Sequence, residues 1–109
     1  MATLSYKSFQ TQPTTSAATV ITAPTASGSN SQIKNISGNN THATLTSVLT
    51  VYKGGSAATN LLFTISLDAG QEFDRDILEV LNASQTLVMK VSGQVGITVN
   101  GNYLEFDNA

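Results

Sequence analysis

The chain has 109 residues, enough for one hydrophobic core and too few for two. Only 11% are charged, for a net charge of −2, while Ser, Thr and Asn supply 12, 15 and 9 residues, so the surface is mostly neutral hydroxyl and amide; five scattered bases form no phosphate-tracking stripe, and nucleic acid is a poor partner. Cysteine is absent, which excludes disulfides and thiolate metal sites and leaves packing, sheet hydrogen bonds and subunit contacts to hold the fold.

The opening MATLSYKSFQ lacks the basic and apolar regions of a secretory signal, and no apolar run approaches the roughly 18 residues of a membrane-spanning helix, so a membrane is not expected as a partner. Residues 1–16 are rich in Gln, Thr and Ser, carry Pro13, and offer only Leu4, Tyr6 and Phe9 as sizeable apolar groups. This composition reads as an extended N-terminal arm, with Leu4, Tyr6 and Phe9 as anchors on a neighbouring protein, ahead of a β-domain over 17–109.

From residue 17 the apolar pattern has the period of two that marks strands. Val20 and Ile21 lie in AATVITAP, a strand ended by Pro24, which has no N–H to give to a ladder. SGSN at 27–30 is a turn cluster, and QIKNIS at 32–37 is a strand closed by GNN. Its Ile33 and Ile36 are three apart, which predicts a bulge. Next, Leu45, Leu49 and Val51 alternate with Thr44, Thr46 and Thr50. Leu61, Phe63, Ile65 and Leu67 alternate with Leu62, Thr64 and Ser66, and the loop GGSAAT joins the two runs into a hairpin wetted on one face.

Asp68 and Gly70 mark a turn, after which QEFDRDILEVL breaks the alternation. A helical face passes through Phe73, Ile77 and Leu81, but the strands on either side favour a strand, a corner and another strand. Period two returns in QTLVMKVS, through Leu87, Met89 and Val91, and in QVGITV, through Val95, Ile97 and Val99. NGN at 100–102 is expected to turn the chain before YLEF, because Asn-Gly favours the positive φ angles of a tight hairpin. Eight or nine short strands with frequent turns predict a single antiparallel β-sandwich, jelly-roll or Ig-like.

Charge is unevenly placed: residues 1–67 hold three Lys and no acid, whereas 68–109 hold all seven acids with Arg75 and Lys90. The asymmetry fits either head-to-tail complementarity between subunits or a fold that mixes both halves on one surface. No grouping has the spacing of a catalytic or metal site, so no enzyme activity and no cofactor are expected. His42 precedes an apolar strand at a loop edge, and the acids of DAGQEFDRDILE surround Arg75 without the pattern of a calcium loop. Three Asn-X-Ser/Thr triplets, at Asn35, Asn39 and Asn82, match glycosylation acceptors but follow no signal segment.

The order of features carries a further indication. TVITAPTASGSNSQIKNIS, a strand ending YKGG, LLFTISLDAGQEF and VLNASQTLVMKVSGQVGITVNG together resemble the small β-sandwich structural proteins of tailed-bacteriophage virions, over about residues 17–106. VLNASQTL departs from that pattern by lacking an acidic turn between its strands. The resemblance implies a virion component assembled in the host cytoplasm: a capsid decoration or cement protein bridging subunits of the major capsid protein, or a tail, neck or fibre subunit. It also implies a homo-oligomer, with a trimer among the options. The alternative is a host-surface or carbohydrate-binding adhesin.

Overall fold

The computed structural model describes residues 2–55, 58–93 and 96–109. Eight strands follow one another: β1 (Thr3–Thr11), β2 (Ala18–Thr22), β3 (Asn30–Asn40), β4 (Ser47–Lys53), β5 (Leu61–Leu67), β6 (Glu72–Asn82), β7 (Thr86–Gly93) and β8 (Ile97–Asp107), with one 3-10 turn at Ala58–Asn60. They form two four-stranded sheets, β1-β8-β3-β6 (sheet A) and β2-β7-β4-β5 (sheet B). β1 pairs with β8, β2 with β7, β3 with β6 and β4 with β5, every pair antiparallel. The chain is therefore one long hairpin, doubled back at the β4–β5 connection and rolled so that β3 also meets β8 and β4 meets β7. This nested order is a jelly roll.

The core lies between the sheets. Ile33, Ile36, Leu81, Ile97 and Val99 point inward from sheet A and meet Leu49, Val51, Leu67, Leu87, Met89 and Val91 from sheet B. The predicted bulge is present: β3 shifts register between Ile33 and Asn35 against both neighbours, with Lys34 the extra residue against β8 and the extra residue on β6 in the other pair. Both isoleucines thereby face the core, three residues apart and fully buried.

Four local expectations give way to different structures. β6 is unbroken from Glu72 to Asn82, with neither corner nor helix. Phe73, Arg75, Ile77, Glu79 and Leu81 share its inner face, and the two charges are accommodated there. Arg75 lies 4.6 Å from the Phe63 ring centroid, and Glu79 accepts from Lys53 Nζ at 3.0 Å. Charged residues at inward positions hid the period of two. The turn expected at 100–102 does not exist, since Asn100 and Gly101 lie inside β8. Gly101 is needed there for its missing side chain, because a Cβ would run into the Phe9 ring, and Phe9 is its partner across the β1–β8 ladder. Toward the opposite edge of the same inner face, a Cβ at Gly38 of β3 would meet the Thr98 carbonyl oxygen and the ring of Phe73 on β6, and β3 continues through Gly38 to Asn40 instead of closing at 38. Finally, Leu62 is the extra residue of a bulge in β5, which leaves Leu61 half exposed, and Leu45 precedes β4 in an exposed loop. Val95 and the centre of the GGSAAT loop lie outside the described residues.

Nested pairing also decides how the charge is arranged. Four of the five strands of the basic first half, β1 to β4, lie against a strand of the acidic second half, and Lys7–Glu105 and Lys53–Glu79, each 3.0 Å, join the two halves within one molecule. The fold mixes the halves.

Candidate interaction surface

β1 places the three expected anchor residues on two different faces. Residues opposite each other in an antiparallel pair point the same way. Phe9 therefore points inward with Gly101, where it packs against the core and lies 6.5 Å from Tyr103, ring centroid to centroid. Leu4 and Tyr6 point outward with Phe106 and Leu104. The segment 1–16 thus contributes an edge strand whose inner side is keyed to the sandwich and whose outer side is open.

The register extends this outer face across sheet A. One rung runs Leu4, Phe106, Asn30, Asn82; the next runs Tyr6, Leu104, Gln32, Val80; Lys34 and Leu78 follow at the bulge. Leu4 is 63% exposed, Tyr6 85%, Leu78 84% and Val80 41%. Four of the six large exposed apolar side chains among the described residues therefore gather at one end of one face. They stand at its two edges: Leu4 and Tyr6 adjoin Phe106 and Leu104, while Asn30, Gln32 and Lys34 of β3 lie between this group and Leu78 and Val80. Leu78 and Val80 were not singled out from the sequence, because the disguised alternation of β6 concealed which of its residues face out.

The other end of the same face is polar. Its rungs run Ser8, Asn102, Asn35, Asp76 and then Gln10, Asn100, Ser37, Asp74. Asn35 Nδ2 donates to Asp74 Oδ1 at 2.6 Å and to Asp76 Oδ1 at 2.9 Å, bridging the two carboxylates. Between the two ends a shallow hollow of about 440 Å³ is lined by Tyr6, Lys7, Ser8, Lys34, Asn102 and Tyr103. Lys34 donates to Gln32 Oε1 at 3.3 Å. Lys7 reaches Glu105, whose hydrogen bond and charge raise the pKa of the lysine above its ordinary value.

His42 serves the loop that leads into β4. Its Nδ1 accepts the backbone N–H of Thr44 and of Leu45, both at 3.2 Å. Beside it Asn40 is fully buried: Nδ2 donates to the carbonyls of Leu45 (2.8 Å) and Leu67 (3.0 Å), and Oδ1 accepts the N–H of His42 at 3.0 Å. Among the described residues no three His, Cys, Asp or Glu side chains are placed to hold a metal ion.

No family model matches the chain, and no curated protein matches it. Among solved structures it is similar to a chain in the acidic stable capsid structure of Helicobacter pylori bacteriophage KHP30, with a TM-score of 0.61 and 10% identity, covering 100% of this chain and 95% of the other. Two further likenesses are to Bacillus endospore appendages that form disulfide-linked pili (TM-score 0.46, 12% identity, 96% and 84% covered) and to infectious bursal disease virus strain Gx (0.40, 10%, 99% and 38%). Those two share too little geometry to support a reading. The KHP30 likeness is one of fold, and it runs from end to end of both chains. In fold, the chain resembles a virion structural protein.

Proposed function

We propose that this chain is a non-enzymatic structural protein of a bacteriophage virion, and within that class a decoration or cement protein that stabilises the head by bridging capsid subunits. The observation that carries the reading is the end-to-end fold likeness to a chain of a phage capsid, with nearly nothing left over on either side. The surface supports it. A neutral exterior with one open apolar end suits a protein held by many repeated weak contacts, whose strengths combine on a lattice. Leu4 and Tyr6 are the contact residues, and Phe9 holds their strand in register from beneath. The chemistry is mechanical: apolar and hydrogen-bonded contacts across subunits raise the work needed to part them. Assembly takes place in the host cytoplasm, and the protein resides in the particle.

The test is co-sedimentation with particles stripped of this protein, comparing the native chain with Tyr6→Ser. Saturable binding that the substitution weakens supports the reading. Binding to tail or fibre preparations and not to heads moves the protein to that part of the virion. The hollow beside Tyr6 and Lys34 favours a second reading, an adhesin for host-surface glycan; retention on immobilised host-envelope glycan without particle binding would establish that reading instead.

A further inference from the structure

We propose that copies of this chain join head to tail through the two edges of sheet A, with β1 of one copy lying antiparallel beside β6 of the next, so that the sheet runs on from molecule to molecule. This deepens the reading above, in which Leu4 and Tyr6 are contact residues, by naming a second copy as their neighbour.

The edges of the two sheets differ. In sheet B, β2 has five residues and a register shift, and β5 is interrupted by its bulge at Leu62. Short or bulged edges resist further pairing. In sheet A, β1 has nine residues and pairs with β8 without a shift, and β6 alternates over eleven; neither contains proline. Their inward charges are already engaged inside the molecule: Lys7 by Glu105, Arg75 by Phe63 and Glu79 by Lys53.

The backbone suits the same pairing. Asn40, on the inner side of β3, donates its N–H to the Gln71 carbonyl and accepts from the Gly70 N–H. Within a strand, residues on one face turn their N–H and C=O to the same side. Inner residues of β3 and β6 therefore bond each other, and the backbone groups of outward Asp74, Asp76, Leu78 and Val80 are left at the free edge of β6. β1 runs parallel to β3, so its inner residues turn toward β8, while Leu4, Tyr6, Ser8 and Gln10 turn to its free edge. Joining the edges pairs outward residues with outward residues.

One register satisfies every such pair. Leu4 falls opposite Val80, Tyr6 opposite Leu78, Ser8 opposite Asp76 and Gln10 opposite Asp74, so apolar meets apolar and hydroxyl and amide donors meet carboxylates. The exposed apolar residues that stand at separate edges of one molecule come together between two. On the inner side Ser5, Lys7 and Phe9 oppose Glu79, Ile77 and Arg75, with no like charges paired. Sliding β1 by two residues sets either Ser8 against Leu78 or Tyr6 against Asp76. β6 holds four acids and β1 none, so β6 against β6 is repelled, and β1 against β1 would leave Leu78 and Val80 bare. Each copy offers one edge of each kind, and the contact closes into rings or continues as rows.

Single-cysteine variants test the register, since the native chain has no cysteine. Opposed residues of a hydrogen-bonded pair have Cα atoms about 5.5 Å apart, within disulfide range, whereas diagonal neighbours at roughly 7 to 8 Å are not. Within one molecule Ser8 and Asp76 lie three strand spacings apart, about 14 Å, so they cannot bridge internally. Under mild oxidation, Ser8→Cys mixed with Asp76→Cys is expected to form a covalent dimer at least tenfold faster than Ser8→Cys mixed with Leu78→Cys or Asp74→Cys. Ser8→Pro removes an N–H from the free edge and none from the β1–β8 ladder. With an unchanged circular dichroism spectrum, it should weaken the concentration-dependent self-association of the native chain in sedimentation at least tenfold. Rapid disulfides of Ser8→Cys or of Asp76→Cys with itself would mean that like edges meet and would overturn the proposal, as would a folded Ser8→Pro that associates like the native chain. A chain that stays monomeric at all concentrations without the mixed disulfide, yet binds particles in a way that Tyr6→Ser weakens, overturns the self-association and leaves the virion reading standing. Self-association with the mixed disulfide but no particle binding upholds the proposal and removes that reading.

Discussion

Replacing Gly101 with alanine tests how the edge of sheet A is built. The added methyl meets the Phe9 ring well inside contact distance and the Asn35 carbonyl oxygen at 2.9 Å. The ring can swing away, but the carbonyl belongs to the neighbouring strand and cannot. Overpacking of this kind costs about 1 to 3 kcal/mol. Expelling a half-buried phenylalanine adds about 1 kcal/mol, part of the burial energy of a full side chain. Gly101→Ala is therefore expected to destabilise by about 2 to 4 kcal/mol. A strand alanine where backbone entropy alone mattered would instead gain roughly 0.5 to 1 kcal/mol. Urea unfolding measures the difference, and Phe9→Ala supplies the second arm of a double-mutant cycle. With the ring gone, only the carbonyl contact remains, and Gly101→Ala should cost at least 1 kcal/mol less than in the native background. An equal cost in both backgrounds, or a stabilised Gly101→Ala, would refute the account of Phe9 as the lid over Gly101.

Asn40→Ala leaves two carbonyls and one N–H without their partner inside the fold and is expected to cost about 3 kcal/mol, read as a lowered urea midpoint with unchanged slope. Breaking the partly exposed Lys53–Glu79 link with Lys53→Met should cost under about 1 kcal/mol, and a larger loss would show that the pair fastens the sheets more tightly than exposed ion pairs do. The folded-state pKa of Lys7 is raised by Glu105. Its contribution to stability is therefore complete below the ordinary lysine pKa and is lost as pH rises through the higher folded value. Melting followed by circular dichroism on the alkaline side should show a steeper decline for the native chain than for Lys7→Met. His42→Ala should leave particle binding unchanged, because the ring's Nδ1 is engaged by the loop backbone.

The sandwich was legible because its core strands alternate plainly. Leu49 and Val51, Phe63 and Leu67, and Leu87, Met89 and Val91 follow the period of two and lie in the core. The bulge at Lys34 was equally readable from two isoleucines spaced three apart. What escaped was set by contacts across strands. Arg75 and Glu79 point inward because Phe63 and Lys53, on other strands, receive them, and nothing local to QEFDRDILEVL reports that. Asn-Gly at 100–101 has the chemistry of a turn, and a ring from a strand some ninety residues earlier holds it straight. The exposed apolar residues of sheet A were half visible: Leu4 and Tyr6 stood out as isolated apolar groups in a polar segment, while Leu78 and Val80 were lost where charged residues broke the alternation of β6.

Because the pairing is nested, Thr3 and Asp107 sit directly opposite each other, so the two extremities of the roll are neighbours. Joining Asp107 to Thr3 through a short linker and reopening the backbone between β4 and β5 would preserve every ladder while making the outermost pair of strands a local hairpin and the innermost pair a distant one. Order of formation and final architecture would then come apart: the permuted protein should reach the same shape, at a different speed and starting from the opposite end.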